Sequence, residues 1–161
     1  MVTLRCTHKL LRYLRAEAVQ RDTDFPTTRL GDWYANLLFT KRRRLIVCVS
    51  ERSLLPIIVA AKDPSSFSYR LREAVRSMLW TVGVSRDALD RELLEMAGVT
   101  IGRTANRSVL CSLNELALGA RYALGQRPEM DLLTVAMEVA ETPCSALQYA
   151  NPKEATLDLL R

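Results

Sequence analysis

Between residues 33 and 60 three apolar runs follow one another with connections of only four residues each. The runs are 33–40, 45–49 and 54–60. The connections are Lys41-Arg42-Arg43-Arg44 and Ser50-Glu51-Arg52-Ser53. Short apolar runs rich in β-branched and aromatic residues, bounded by polar clusters, read as strands. Parallel neighbours need a crossover of roughly a dozen residues or more, so connections this short force antiparallel pairing. The segment is therefore predicted as a three-stranded meander. Pro56 has no N–H for a ladder, which puts the third strand at an edge or makes it start late.

The flanking segments read as alternating strand and helix. Val2–Cys6 is short, β-branched and bounded by polar residues, so it reads as a strand, and Thr7 is a natural N-cap for a helix over 8–19. Residues 20–32 form a polar loop with Pro26 and Gly31, and a loop that long is often functional. Phe67, Leu71, Val75, Met78 and Val82 recur at helical spacing. Gly83 closes that helix, and Ser85 opens a second one with Leu89, Leu93 and Met96. Val99–Arg103 reads as a further strand. A long helix over 106–124 ends at Gly125 and Pro128, and a helix carrying Met130, Leu133, Met137 and Ala140 follows. Pro143 interrupts it, and Asn151 with Pro152 starts a last short helix. The predicted class is α+β: a small, mostly antiparallel sheet of about five strands against helices. The predicted division is a core over 1–125 and a helical C-terminal extension over 126–161.

Composition bounds the function. The chain has 161 residues, 48% of them hydrophobic, enough for one core without a metal or disulfide. No run approaches the roughly 20 apolar residues that span a bilayer. Arg5, Lys9, Arg12 and Arg15 break up the N-terminal segment, which does not resemble a secretory signal. A cytoplasmic location is expected. Cys6, Cys48, Cys111 and Cys144 form no C-x-x-C pair, and there is one histidine, His8. The cysteines read as reduced and buried, and neither a metal nor a cofactor is expected. The acid pairs Glu92/Glu95 and Glu138/Glu141 read as solvated helix faces.

Charge is unevenly placed. The net charge is +5, but residues 1–62 hold 12 Lys+Arg against 5 Asp+Glu, while 63–161 hold 11 against 13. A basic half attracts nucleic acid or an acidic protein partner.

Three segments carry candidate chemistry. Arg103, Thr104, Asn106, Arg107 and Ser108 lie at a strand-to-helix junction, where free N–H groups, the helix dipole and guanidiniums suit an anion. The same Thr, Asn and Ser are what plain helix capping requires. Residues 98–104 superficially suggest a phosphate-binding loop. They have one residue too few between the glycines and Arg103 in place of lysine, so a nucleotide P-loop is rejected. Thr7, His8 and Lys9 follow the first strand. There His8 is the natural general acid–base, with Lys9 or Arg103 able to stabilise phosphorane-like charge. The third segment is the basic turn 41–44 with Trp33 and Tyr34 upstream. It suits phosphate contacts and stacking, or equally a solvated hairpin turn.

The segments LRCTHKLLRYL, TTRLGDWYANLLFTKRRRLIVCVSERSLLPIIV and GRTANRSVLCSLNELA together resemble an uncharacterised family of small bacterial proteins. Its marks are an L-R-C-T-x-K-L-L start, an L-G-x-W-Y-A-N-L segment, an N-E-R-x-L-L-P-like turn and a K-T-x-N-R-S-V-L-G-S-x-N-[DE] helix start. The resemblance covers about residues 2–122. It implies that Thr7, Lys9, Trp33, Tyr34, Asn36, Glu51, Arg52, Thr104, Asn106, Arg107, Ser108, Asn114 and Glu115 recur in relatives. Cys111 departs from an expected glycine and Ser50 from an asparagine. No activity comes with the resemblance.

The expected function is nucleic-acid binding, with RNA cleavage through His8, Lys9 and Arg103 as a candidate activity. The alternative is a non-catalytic protein-interaction module or oligomer, whose acidic end (2 basic and 6 acidic residues over 128–161) docks on a basic half.

Overall fold

The computed structural model describes residues 1–19 and 25–161. In chain order these form β1 (Val2–Cys6), α1 (His8–Leu14), β2 (Trp33–Phe39), β3 (Arg44–Ser50), β4 (Pro56–Ala60), α2 (Phe67–Val82), α3 (Arg86–Glu95), β5 (Val99–Arg103), α4 (Arg107–Gln126), α5 (Leu132–Val139) and α6 (Pro152–Leu159). The fold is α+β, with one five-stranded sheet in the order β4-β3-β2-β1-β5.

The meander is present as β2, β3 and β4, antiparallel throughout. β4 is an edge strand and begins at Pro56, so the proline both sits at the edge and delays the start. β1 is parallel to both its neighbours, β2 and β5. Parallel pairing of β1 with β2 is possible because the connection is long and contains α1. Every residue of β3 from Leu45 to Ser50 is buried, so helices cover both faces of the sheet. α4 packs on β2 and β3, while α2 and α5 both pack on β4.

α1 is shorter than its sequence suggests. It stops at Leu14 because Arg15 adopts a left-handed conformation (φ 51°) and its N–H caps the carbonyls of Arg12 and Leu11. The chain then turns to the sheet edge, where the Val19 N–H donates to the Ile101 carbonyl of β5. The first part of the predicted 20–32 loop, residues 20–24, lies outside the described residues.

The described remainder of that loop is held by buried acids. Asp32, 1% exposed, accepts from the Thr3 N–H and from Arg5 Nε, both at 2.9 Å. Gly31 (φ 81°) passes so close to Glu51 that a Cβ would come within 2.8 Å of its carboxylate, so a side chain there would displace Glu51 and strain the left-handed backbone. Glu92 is not on a solvated face: it is 4% exposed and accepts the Arg29 N–H at 2.6 Å and the Leu30 N–H at 3.4 Å. Burial raises its pKa above the usual carboxylate range, while those two N–H groups act in the opposite direction. A raised folded-state value means the folded protein holds the proton more tightly than the unfolded chain. The associated stability is full below the unfolded value near 4.5 and is lost as pH rises through the folded value. Urea midpoints of wild type and Glu92→Gln should therefore diverge in favour of wild type as pH falls toward about 4.5. Parallel pH profiles of the two proteins would show that the carboxyl does not titrate in that window.

Trp33 is buried with its indole N–H unpartnered among the described residues. Leaving that donor unsatisfied costs about 1–3 kcal/mol, against roughly 5 kcal/mol from burying about 200 Å² of aromatic surface. Burial wins, and the indole stays inside.

Candidate nucleic-acid interface

Three strands end at one end of the sheet. The parallel register sets Cys6 beside Arg103 on one side and beside Ala35 on the other. Adjacent strands lie about 4.8 Å apart, so the hand-overs after β1 and β5 leave from neighbouring points. β2 continues past that level to Phe39 and enters the basic turn 40–43.

At the first hand-over, Thr7 is a working N-cap: its hydroxyl accepts from the Leu10 N–H at 3.3 Å and donates to Asn36 Oδ1 at 2.6 Å. At the second, Asn106 caps α4 through the Val109 N–H (3.2 Å), and its own N–H donates to the buried Tyr34 hydroxyl at 2.9 Å. Burial raises the Tyr34 phenol above its usual range, so it stays a neutral acceptor for that N–H at physiological pH. Each cap is worth about 1 kcal/mol. Thr7, Asn36, Tyr34 and Asn106 thus hold the two junctions in place; the Thr7 hydroxyl and Asn106 Oδ1, which the sequence offers for anion binding, are occupied by capping and by Asn36.

The charged candidates are placed differently. His8, Lys9, Arg103, Arg107 and Ser108 are exposed and Thr104 is half-buried. The Arg103 carbonyl accepts from Arg5 Nη1 at 3.1 Å. No hydrogen bond from another side chain orients the His8 ring among the described residues, so nothing there fixes its tautomer or its aim. The two cysteines of the sheet are poor nucleophiles. Burial pushes the Cys6 thiol up to about 12 and raises Cys48 well above its usual value. Cys111 departs from the expectation of burial and lies exposed on α4. No three His, Cys, Asp or Glu side chains among the described residues are grouped to hold a metal ion. No described helix is long and apolar enough to cross a membrane.

Past the level where β1 and β5 finish, at the end of β2, a cleft of about 570 Å³ lies between the basic turn and the end of α4. Lys41, Arg42, Arg43 and Arg121 carry its charge, and Phe39, Leu124, Gly125 and Pro128 line it as well. The Lys9 ammonium sits over the Phe39 ring, 4.4 Å from its centroid, which links the β1 hand-over to the cleft's margin. Arg42 meets Glu129 at 3.2 Å in a pair open to solvent, and Arg43 donates to the Met130 carbonyl at 3.4 Å. Trp33 and Tyr34, the aromatics expected beside the turn, are both buried; the half-exposed one is Phe39. Arg121 escapes a sequence reading because its turn of α4 reaches the hairpin only in the fold. The break at Gly125 and Pro128 is the signal that α4 stops there.

A family model described as Domain of unknown function (DUF6933) matches residues 3–155. The chain belongs to this family. Its match takes in α5 and the first half of α6, beyond the segments that carry the motif resemblance. No curated protein and no solved structure matches the chain.

Proposed function

We propose that this DUF6933 protein is a nucleic-acid-binding domain that engages phosphates at the end of its sheet where β1, β2 and β5 finish. The observation that carries this reading is the cleft: four cations from the β2–β3 turn and from α4 converge on one concavity. Lys9, whose ammonium lies over Phe39, extends the positive charge from the cleft toward the end of β1, while Arg103 and Arg107 stand apart at the opposite end of α4. Clustered Lys and Arg bind the phosphate backbone through counterion release, which makes affinity strongly salt-dependent. Binding without chemistry fits His8 better than cleavage does, because the ring has no hydrogen-bonded partner among the described residues to set its role.

Filter binding of oligonucleotides at about 50 and 200 mM salt tests the proposal, and a steep loss of affinity at the higher salt is expected. Absence of salt-sensitive binding would remove it. Glu129 supplies a further check. Its carboxylate competes with phosphate for Arg42, but an exposed ion pair is worth less than about 1 kcal/mol. Glu129→Gln is expected to tighten binding roughly twofold in the same assay.

A further inference from the structure

We infer that the cleft takes a single unpaired nucleotide, which makes single-stranded nucleic acid the preferred ligand; this rests on the nucleic-acid reading above. A volume of about 570 Å³ falls within the roughly 300–1,000 Å³ of small-molecule sites, too large for a lone phosphate and suited to one nucleotide. Its chemistry is divided. Lys41, Arg42, Arg43 and Arg121 match phosphate, whereas Phe39, Gly125 and Pro128, over the buried Leu124, present carbon surface that no phosphate uses. A nucleotide has both parts: a flat base with apolar faces and an anionic backbone. Duplex keeps its bases stacked inside and reaches only the charged rim. An unpaired base can leave the strand and enter, and base–aromatic and base–apolar contacts then add to the charge attraction. An acidic peptide offers carboxylates to the rim but has no flat ring to fill the interior.

Gly125 allows a test that leaves every charge in place. It lines the cleft, and a Cβ built on it meets no atom within 4 Å, so a side chain there projects into open space. It lies in the last turn of α4 without a positive φ, and a helical residue other than glycine is favoured at such a position, so the substituted protein keeps its fold. The experiment compares wild type and Gly125→Leu by fluorescence anisotropy with a labelled single strand, the matching duplex and poly-glutamate. Wild type is expected to bind the single strand more tightly than the duplex. Gly125→Leu should weaken single-strand binding on the order of tenfold while leaving duplex binding and its salt slope unchanged. Equal or tighter duplex binding by wild type, or single-strand affinity untouched by the leucine, overturns the inference and leaves the broader reading standing. Poly-glutamate binding that the leucine abolishes assigns the cleft to an acidic protein instead. Salt-insensitive failure to bind any of the three probes removes both readings.

Discussion

Replacing Asp32 with alanine is expected to cost roughly 3 kcal/mol of stability. The carboxylate lies under the β1–β2 junction, with 2% of its side chain exposed, and pairs with Arg5, whose side chain is 11% exposed. It also accepts the Thr3 N–H of β1, while the Asp32 main chain exchanges hydrogen bonds with Glu51, giving its N–H to the carboxylate at 3.2 Å and its carbonyl to the Glu51 N–H at 2.8 Å. Alanine deprives a half-buried backbone donor of its acceptor and removes a buried counter-charge at once. For a chain of this size the expected shift in Tm is about 6–12 °C. The substitution Asp32→Asn should be milder, since an amide carbonyl still serves Thr3 while the charge is gone. Chemical unfolding followed by circular dichroism measures this. A cost below about 1 kcal/mol for alanine would mean that the pair merely offsets its own desolvation.

The second large effect concerns binding. Lys41, Arg42 and Arg121 line the cleft, and among the described residues none of them donates to the backbone in the way Arg43 does. Their joint replacement by alanine should leave unfolding almost unchanged. Each phosphate of a single strand that loses its cation lowers the slope of log affinity against log salt by about 0.7, so three should lower it by about 2. Affinity at about 50 mM salt should fall by more than tenfold. An unchanged slope would place the phosphate-binding cations elsewhere, with Arg103 and Arg107 as the next residues to replace.

Much of the fold was legible because local rules and burial agree there. Four-residue turns dictated the meander, Pro56 marked an edge, and Asn151-Pro152 announced α6. The parallel ladders around β1 were not legible, because a long connection permits either direction and only packing decides. The pattern around Glu92 misleads for a related reason. Its i, i+3 partner Glu95 suggests a solvated helix face, but the acceptor role of Glu92 is set by N–H groups 62 and 63 residues away in sequence. The candidate site divides along the same line. Thr7 and Asn106 could be recognised as caps from their place in the chain. Their tie to Asn36 and Tyr34 depends on strand register. The motif positions Thr7, Tyr34, Asn36 and Asn106 thus acquire a shared physical task, joining the ends of β1, β2 and β5. The cations around Phe39 come together only once α4 has crossed the sheet to reach the hairpin.

The position of β1 between β2 and β5 also sets an order of assembly. Neighbours within the meander can pair as soon as they are synthesised, whereas Val2 must wait for Val99, 97 positions later. Closing so long a loop is slow compared with forming a hairpin. On the ribosome, one flank of the first strand therefore stays open while most of the polypeptide is made. Products that terminate before Val99 retain that open flank permanently and should recruit other strands to it, so premature release would yield aggregates in place of a smaller working domain.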